Sequence, residues 1–219
     1  MIRLVDLSEI SDGRVYHAYD MVKADCNGCI GCSYCCRSMV KTITLDPFDI
    51  YNLTVNLKMS FEELLSEAIE LDINEGIILP NLKMSADNDR CFFLTDEGRC
   101  SIHGFRPGLC RLFPLGRFFE DRSVHYILQI HECKAVNRTD ITVHKWIGLP
   151  DIAVYEDFSA EWYYLQKKLQ KYIAGNINQA KVVNMQLLKI FYLSPYDGSD
   201  FFGQFKERKS LLEKSLFAE

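Results

Sequence analysis

Apolar and polar positions along this chain follow period two in a few short stretches and helical period mainly in its last third. Met39-Val40-Lys41-Thr42-Ile43-Thr44-Leu45 alternates and is rich in β-branched residues, which predicts a strand. Asp46-Pro47 then predicts a helix start, with aspartate at the cap, proline in the first turn and a further acid at Asp49. Ser60 with Glu63 three residues on forms a capping box for a second helix through about Leu71. Ile77 to Met84 reads as a short strand. Residues 87 to 116 show little periodicity and read as loop. Arg117-Phe118-Phe119, the turn Glu120-Asp121-Arg122-Ser123 and Val124 to Ile130 predict a β-hairpin.

From Ser159 onward the period becomes helical. Trp162, Leu165, Leu169, Tyr172 and Ile173 fall on one face, with lysines and glutamines opposite. Val182 to Leu193 continues the pattern after a break at Gly175-Asn176, and Phe201 to Leu216 predicts a third, more charged helix. The first twenty residues carry no readable period, and no repeat or low-complexity tract is visible. The pattern predicts an α+β fold: a small, irregular, cysteine-rich core with short β elements over residues 1–150, and a helical extension over 151–219 packed on it.

Composition narrows the class. Hydrophobic residues make up 48% and charged residues 25%, the profile of an ordinary folded protein. A formal net charge of −5 offers no general attraction for nucleic acid, so none is expected as a partner. No apolar run approaches the roughly 18 residues that a membrane span needs. The amino-terminal stretch has no apolar signal core, which points to the cytoplasm.

The chemistry is carried by nine cysteines, five of them packed into CNGCIGCSYCC as Cys26, Cys29, Cys32, Cys35 and Cys36. Two residues between thiolates let a tight loop turn both sulfurs toward one centre. A reducing compartment, an odd count and a chain long enough to bury its own core all favour metal binding over disulfides. The remaining thiols, Cys91, Cys100, Cys110 and Cys133, lie beside turn-forming or charged residues rather than inside apolar runs, where a structural cysteine would hide. Nine thiols suffice for two four-ligand sites with one left over, or for one such site with bystanders. Cys35 and Cys36 are adjacent, so their side chains should diverge, and one of them is expected to serve a second site or the core.

The ferredoxin run would place a fourth cysteine with three residues between it and the third, followed by proline. Here Cys35 comes only three positions after Cys32, with two residues between them, and its neighbour is Cys36. A zinc ribbon would use two separated pairs. Residues 99 to 117 hold Arg99, Arg106, Arg111 and Arg117 with no acid among them. Arg106 and Arg111, which flank Cys110, are candidates to donate N–H groups to thiolate sulfur or to an anionic substrate. His103 and His131 lie near cysteines but read as structural histidines first and ligands second.

CIGCSYCCR, with CFFLTDEGRCSIHGFRPGLCRLFP downstream, resembles the bacterial cysteine-cluster CxxCxxCC (YkgJ-like) family of zinc- or iron-chelating domains. The family's elements fall on Cys29, Cys32, Cys35 and Cys36, then Cys91-Phe92-Phe93-Leu94, then Gly98 with Cys100, then Arg106-Pro107 with Cys110-Arg111. Cys133 stands where its closing cysteine is expected, and Cys26 is an additional thiol. The resemblance covers about residues 26 to 133. It extends distantly to the flagellin lysine methylases, and only through the cysteine core. It implies a metal centre, with a [4Fe–4S] cluster as the leading expectation and zinc as the alternative, because soft thiolates accept either. Three functions are expected in turn: a redox or catalytic iron–sulfur protein, a zinc-stabilised module presenting a surface to a protein partner, or an S-adenosylmethionine-dependent methyltransferase acting on a protein substrate. No glycine-rich strand-to-helix turn supports the last.

Overall fold

The computed structural model describes residues 7–27, 32–37, 42–85, 90–198 and 200–217. Cys29 and the 39–41 part of the expected first strand lie outside the described residues. Both helix starts read from the sequence are formed, and each is a capping box. Asp46 caps α2 (Pro47–Leu57) and Ser60 caps α3 (Phe61–Glu67), each side chain accepting from the third helical amide. A short helix, α1 (Leu7–Ile10), precedes them.

The second helix stops earlier than its polar pattern suggests. It ends at Glu67, and β2 (Ile69–Asn74) pairs antiparallel with β3 (Ile77–Leu82). Ile69, Leu71 and Ile73 alternate, and the two-residue turn Glu75-Gly76 has φ of 49° and 90°, the left-handed pair that closes a tight hairpin. An added carbon on Gly76 would lie 3.3 Å from Ile173, so the turn also packs against the carboxy-terminal helices. Residues 43–45 run beside β3 through Leu45 N–H to Pro80 O (2.8 Å) and Leu82 N–H to Ile43 O (3.0 Å).

The expected hairpin at 117–130 is present as β4 (Leu115–Glu120) and β5 (Ser123–Leu128). Between β3 and β4, the cysteine-bearing loop contains α4 (Gly108–Leu112). A pairing that the sequence did not announce joins β1 (Met21–Asp25) to β6 (Thr139–Thr142), and α5 (Val143–Ile147) comes directly after it. Each sheet is thus a two-stranded antiparallel pair.

The long helix α6 (Ile152–Gly175) begins seven residues before the expected Ser159, where Asp151 accepts from the amide of Val154. Its face of Tyr155, Phe158, Trp162, Leu165, Leu169 and Ile173 is buried at the predicted spacing. Against it pack α7 (Ala180–Leu188), which continues as a π-helical turn over Lys189–Leu193, and α8 (Phe201–Phe217). Phe158, Trp162, Phe191, Phe201 and Phe205 meet there in mostly edge-on contacts. The apolar core runs on from this aromatic cluster into the β elements and up to the cysteine loops. The architecture is α+β with a helical carboxy-terminal part.

Candidate metal centre

Backbone geometry brings the separated cysteines together. The amide of Cys91 donates to the carbonyl of Cys36 at 2.8 Å, and isolated bridges pair Arg37 with Arg90 and Met84 with Cys91. A further bridge, Leu94 with Cys100, closes a small loop over Gly98, whose φ of 75° suits glycine. Cys110 lies on α4, which is clamped from outside: Asp49 accepts from the Gly108 amide at 2.7 Å, and the Trp146 indole donates to Leu112 O at 3.2 Å.

The described thiols line two cavities, with Cys32 and Cys35 on the wall of both. Cys32, Cys35, Cys36, Cys91, Cys100 and Cys110 line a cavity of about 350 Å³ whose other walls include Ile43, Leu82 and Trp146. Cys26, Cys32, Cys35 and Cys133 line a second, of about 270 Å³, with Phe113 and Trp146. Electrostatic coupling joins Cys35 to the thiols of the first cavity and Cys32 to those of the second. Burial raises the thiols of Cys91, Cys100 and Cys110 above the usual range, and in each case the nearby Cys35 thiol adds to the shift. Burial also raises Cys133, but its thiol neighbours are Cys26 and Cys32. Cys35 and Cys36 sit in a short 3₁₀ turn with their side chains hydrogen-bonded to each other, which together with burial pushes the Cys35 thiol up. The divergence expected of that adjacent pair is therefore not seen: both face the larger cavity.

Neither Cys32, Cys35, Cys36, Cys91, Cys100, Cys110 nor Cys133 is in a disulfide. Among the described residues, no three Cys, His, Asp or Glu side chains converge closely enough to hold a bare metal ion. The thiols ring cavities instead of meeting at a point.

Cationic groups crowd the larger cavity. Burial and then the charge of Arg106 lower the pKa of both His103 and Arg111, so these groups repel one another. Arg111 donates to Gly104 O at 2.8 Å, and Arg106 contacts the His103 ring. Arg106 Nε is buried without an acceptor, as is Arg138 Nη1. A buried N–H left unpaired costs about 1–3 kcal/mol. Arg106 lies close enough to favour the charged form of Cys35 and Cys100, and Arg138 does the same for Cys133. Each thiol group therefore has one arginine N–H lacking the acceptor that a metal-bound thiolate or sulfide would supply, and the residues fit such a group. Arg138 was not singled out by the sequence, because nothing in KAVNRTD sets it apart. Arg117 also lines the larger cavity, but it is turned toward α6, donating to Tyr155 Oη and Ser159 Oγ at 3.0 Å each. His131 is exposed.

Residues 26–139 match the model of the CxxCxxCC family, described as "Putative zinc- or iron-chelating domain". The chain belongs to this family. No curated protein and no solved structure matches it. The CxxCxxCC region takes in all nine cysteines, the walls of both cavities apart from Trp146, and Arg138, and it ends before α6. Its description supports a metal-chelating role for these thiols. Among the described residues, no helix is long and apolar enough to cross a membrane.

Proposed function

We propose that this chain is a cytoplasmic iron–sulfur protein with two thiolate-bound clusters. Cys35, Cys91, Cys100 and Cys110 would hold one, and Cys26, Cys29, Cys32 and Cys133 the other, leaving Cys36 as the ninth thiol. The observation that carries this reading is that thiols line two cavities sharing Cys32 and Cys35, with Arg106 on the wall of one and Arg138 acting on Cys133 of the other, each arginine with an unpaired buried N–H. Thiols spread around a cavity suit a cluster, whose irons each take one thiolate, better than a single four-coordinate ion with metal–sulfur bonds of about 2.3 Å. Clusters of this kind supply one-electron chemistry. The protein's own contribution is to hold the thiols apart, offset their charge with Arg106 and Arg138, and keep water from Cys91 and Cys110 behind apolar walls. Accessible thiols in this number persist in a reducing compartment, which supports the cytoplasm.

Iron, acid-labile sulfide and zinc analysis of protein purified without oxygen tests the proposal. Two cubane clusters correspond to about eight irons and about eight sulfides per chain, with a broad visible absorption band. A colourless protein with stoichiometric zinc and no sulfide would overturn it in favour of a zinc-folded module.

A further inference from the structure

We infer that Asp49 and Trp146, both outside the cysteine pattern, are the positioning residues that aim Cys110 into the larger cavity. The inference deepens the two-cluster reading, in which Cys110 is a ligand, and it starts from the helix that carries this thiol. α4 has five residues, far fewer than a helix needs to hold itself together in water. It has no side-chain cap of its own, because its N-cap residue is Pro107. Its first amide, Gly108 N–H, has no acceptor within the helix and must find one elsewhere.

Asp49 provides that acceptor from a different helix. On α2 its Oδ2 accepts from the Asp46 amide at 3.1 Å, completing a capping box whose other bond runs from the Asp49 amide to Asp46 Oδ1 at 2.9 Å. Its Oδ1 is directed away from α2 and accepts from Gly108 N–H at 2.7 Å. A carboxylate just 4% exposed is thereby used at both oxygens, one for its own helix and one for α4. Gly108 has to be glycine for this approach, because an added carbon would collide with the Tyr155 hydroxyl and lie 3.6 Å from Asp49 Oδ1. Tyr155 is itself held by Arg117, whose charge sits beside both acids. At the other end, the Trp146 indole N–H takes the Leu112 carbonyl, which lacks an intrahelical donor. Cys110 lies between these two clamps, so its direction is set by α2 and α5 rather than by α4.

Alkylation of Cys110 by iodoacetamide, read by mass spectrometry on the metal-free full chain, tests the inference without any bound cluster. Asp49→Ala and Trp146→Phe should each raise the Cys110 rate about tenfold or more, and Asp49→Ala, which lies away from the second cavity, should leave Cys133 unchanged. Asp49→Asn, which keeps an acceptor for Gly108, should fall between Asp49→Ala and wild type. Asn184→Ala, remote from α4, serves as the control for general loosening and should not move Cys110 selectively. In metal-loaded protein, the same two variants should release about half of the metal to a chelator faster than wild type. Cys110 and Cys133 rates that rise together in Asp49→Ala, or a Cys110 rate that stays at the wild-type value in either variant, would overturn the inference. A wild-type chain that binds no iron defeats the two-cluster reading instead, and the alkylation result still decides this one.

Discussion

Cys91 donates its backbone N–H to the carbonyl oxygen of Cys36 at 2.8 Å. The bond joins the early cysteine run to the later one through main chain, so the two halves of the pattern meet without any metal between them. The surroundings of this bond are sparse: among the described residues, isolated bridges at Arg37–Arg90, Met84–Cys91 and Leu94–Cys100, and no named strand pair. Single bridges fix little and leave most of the loop's order to side chains and to ligation.

Metal removal should therefore act unevenly. Hydrogen exchange over residues 90–112 should accelerate strongly in metal-free protein, while β4–β5 and α6, held by a full hairpin ladder and a buried aromatic face, stay protected. Equal acceleration in both regions would show that the metal stabilises the whole fold and not this loop.

Cysteine substitutions should sort into two classes. Serine keeps the size of the thiol but is a poor soft ligand. Cys110→Ser and Cys100→Ser should each lose about half of the bound metal, and Cys26→Ser and Cys133→Ser the other half. Combining one from each class should remove nearly all of it, and Cys36→Ser should keep nearly all. Loss of all metal in every single variant would mean one joint centre.

Local chemistry was readable and long-range pairing was not. Asp46-Pro47-Asp49 and Ser60-Glu63 announced two helix starts because a cap is made by residues three apart. The end of the second helix was hidden, since Leu64, Leu65, Ala68 and Leu71 also suit a helical face. β2 exists because β3 lies opposite, and only the Glu75-Gly76 turn makes that possible. The pairing of β1 with β6 joins two segments that carry no strong strand signal. In the metal region, spacing identified the thiols as a set. How they divide depends on which loops neighbour one another, and Arg138 becomes visible only through its unpaired N–H. Asp49 was legible as a helix cap but not as a support for α4, because Gly108 lies 59 residues away.

Asn184 ties the carboxy-terminal helices to the β2–β3 hairpin. Its Oδ1 accepts from Ile78 N–H at 2.6 Å and its Nδ2 donates to Gly76 O at 2.9 Å, in a setting only 6% exposed. Asn184→Ala leaves a half-buried amide and a half-buried carbonyl without these partners and should cost about 1–3 kcal/mol. For a chain of this length that lowers Tm by about 2–12 °C. Metal content of the folded variant should stay at the wild-type level.

Glu156 gives a pH dependence separate from the thiols. It lies on α6 and accepts from Tyr126 Oη at 2.9 Å. Burial raises its carboxyl pKa, and Asp157 adds to this, against the opposing hydrogen bond from Tyr126 and the charges of His17 and His125. A carboxyl with a raised pKa in the fold still holds its proton where the unfolded chain has lost it. Stability therefore falls as pH rises from the ordinary glutamate value, about 4.3, through the raised one, and stays lower above it. Glu156→Gln keeps an acceptor for Tyr126 and removes the ionisation. The variant should be more stable than wild type at pH 7, and the difference should vanish near pH 4, where both side chains are neutral. The group is only about half buried, so solvent screening keeps the gain to about 0.5 kcal/mol, a Tm rise of about 1–2 °C. Paired melting curves of the two proteins from pH 4 to pH 8 would measure it. A variant less stable than wild type at pH 7 would mean that the ionised carboxylate is favoured in the fold, reversing the sign argued from its burial.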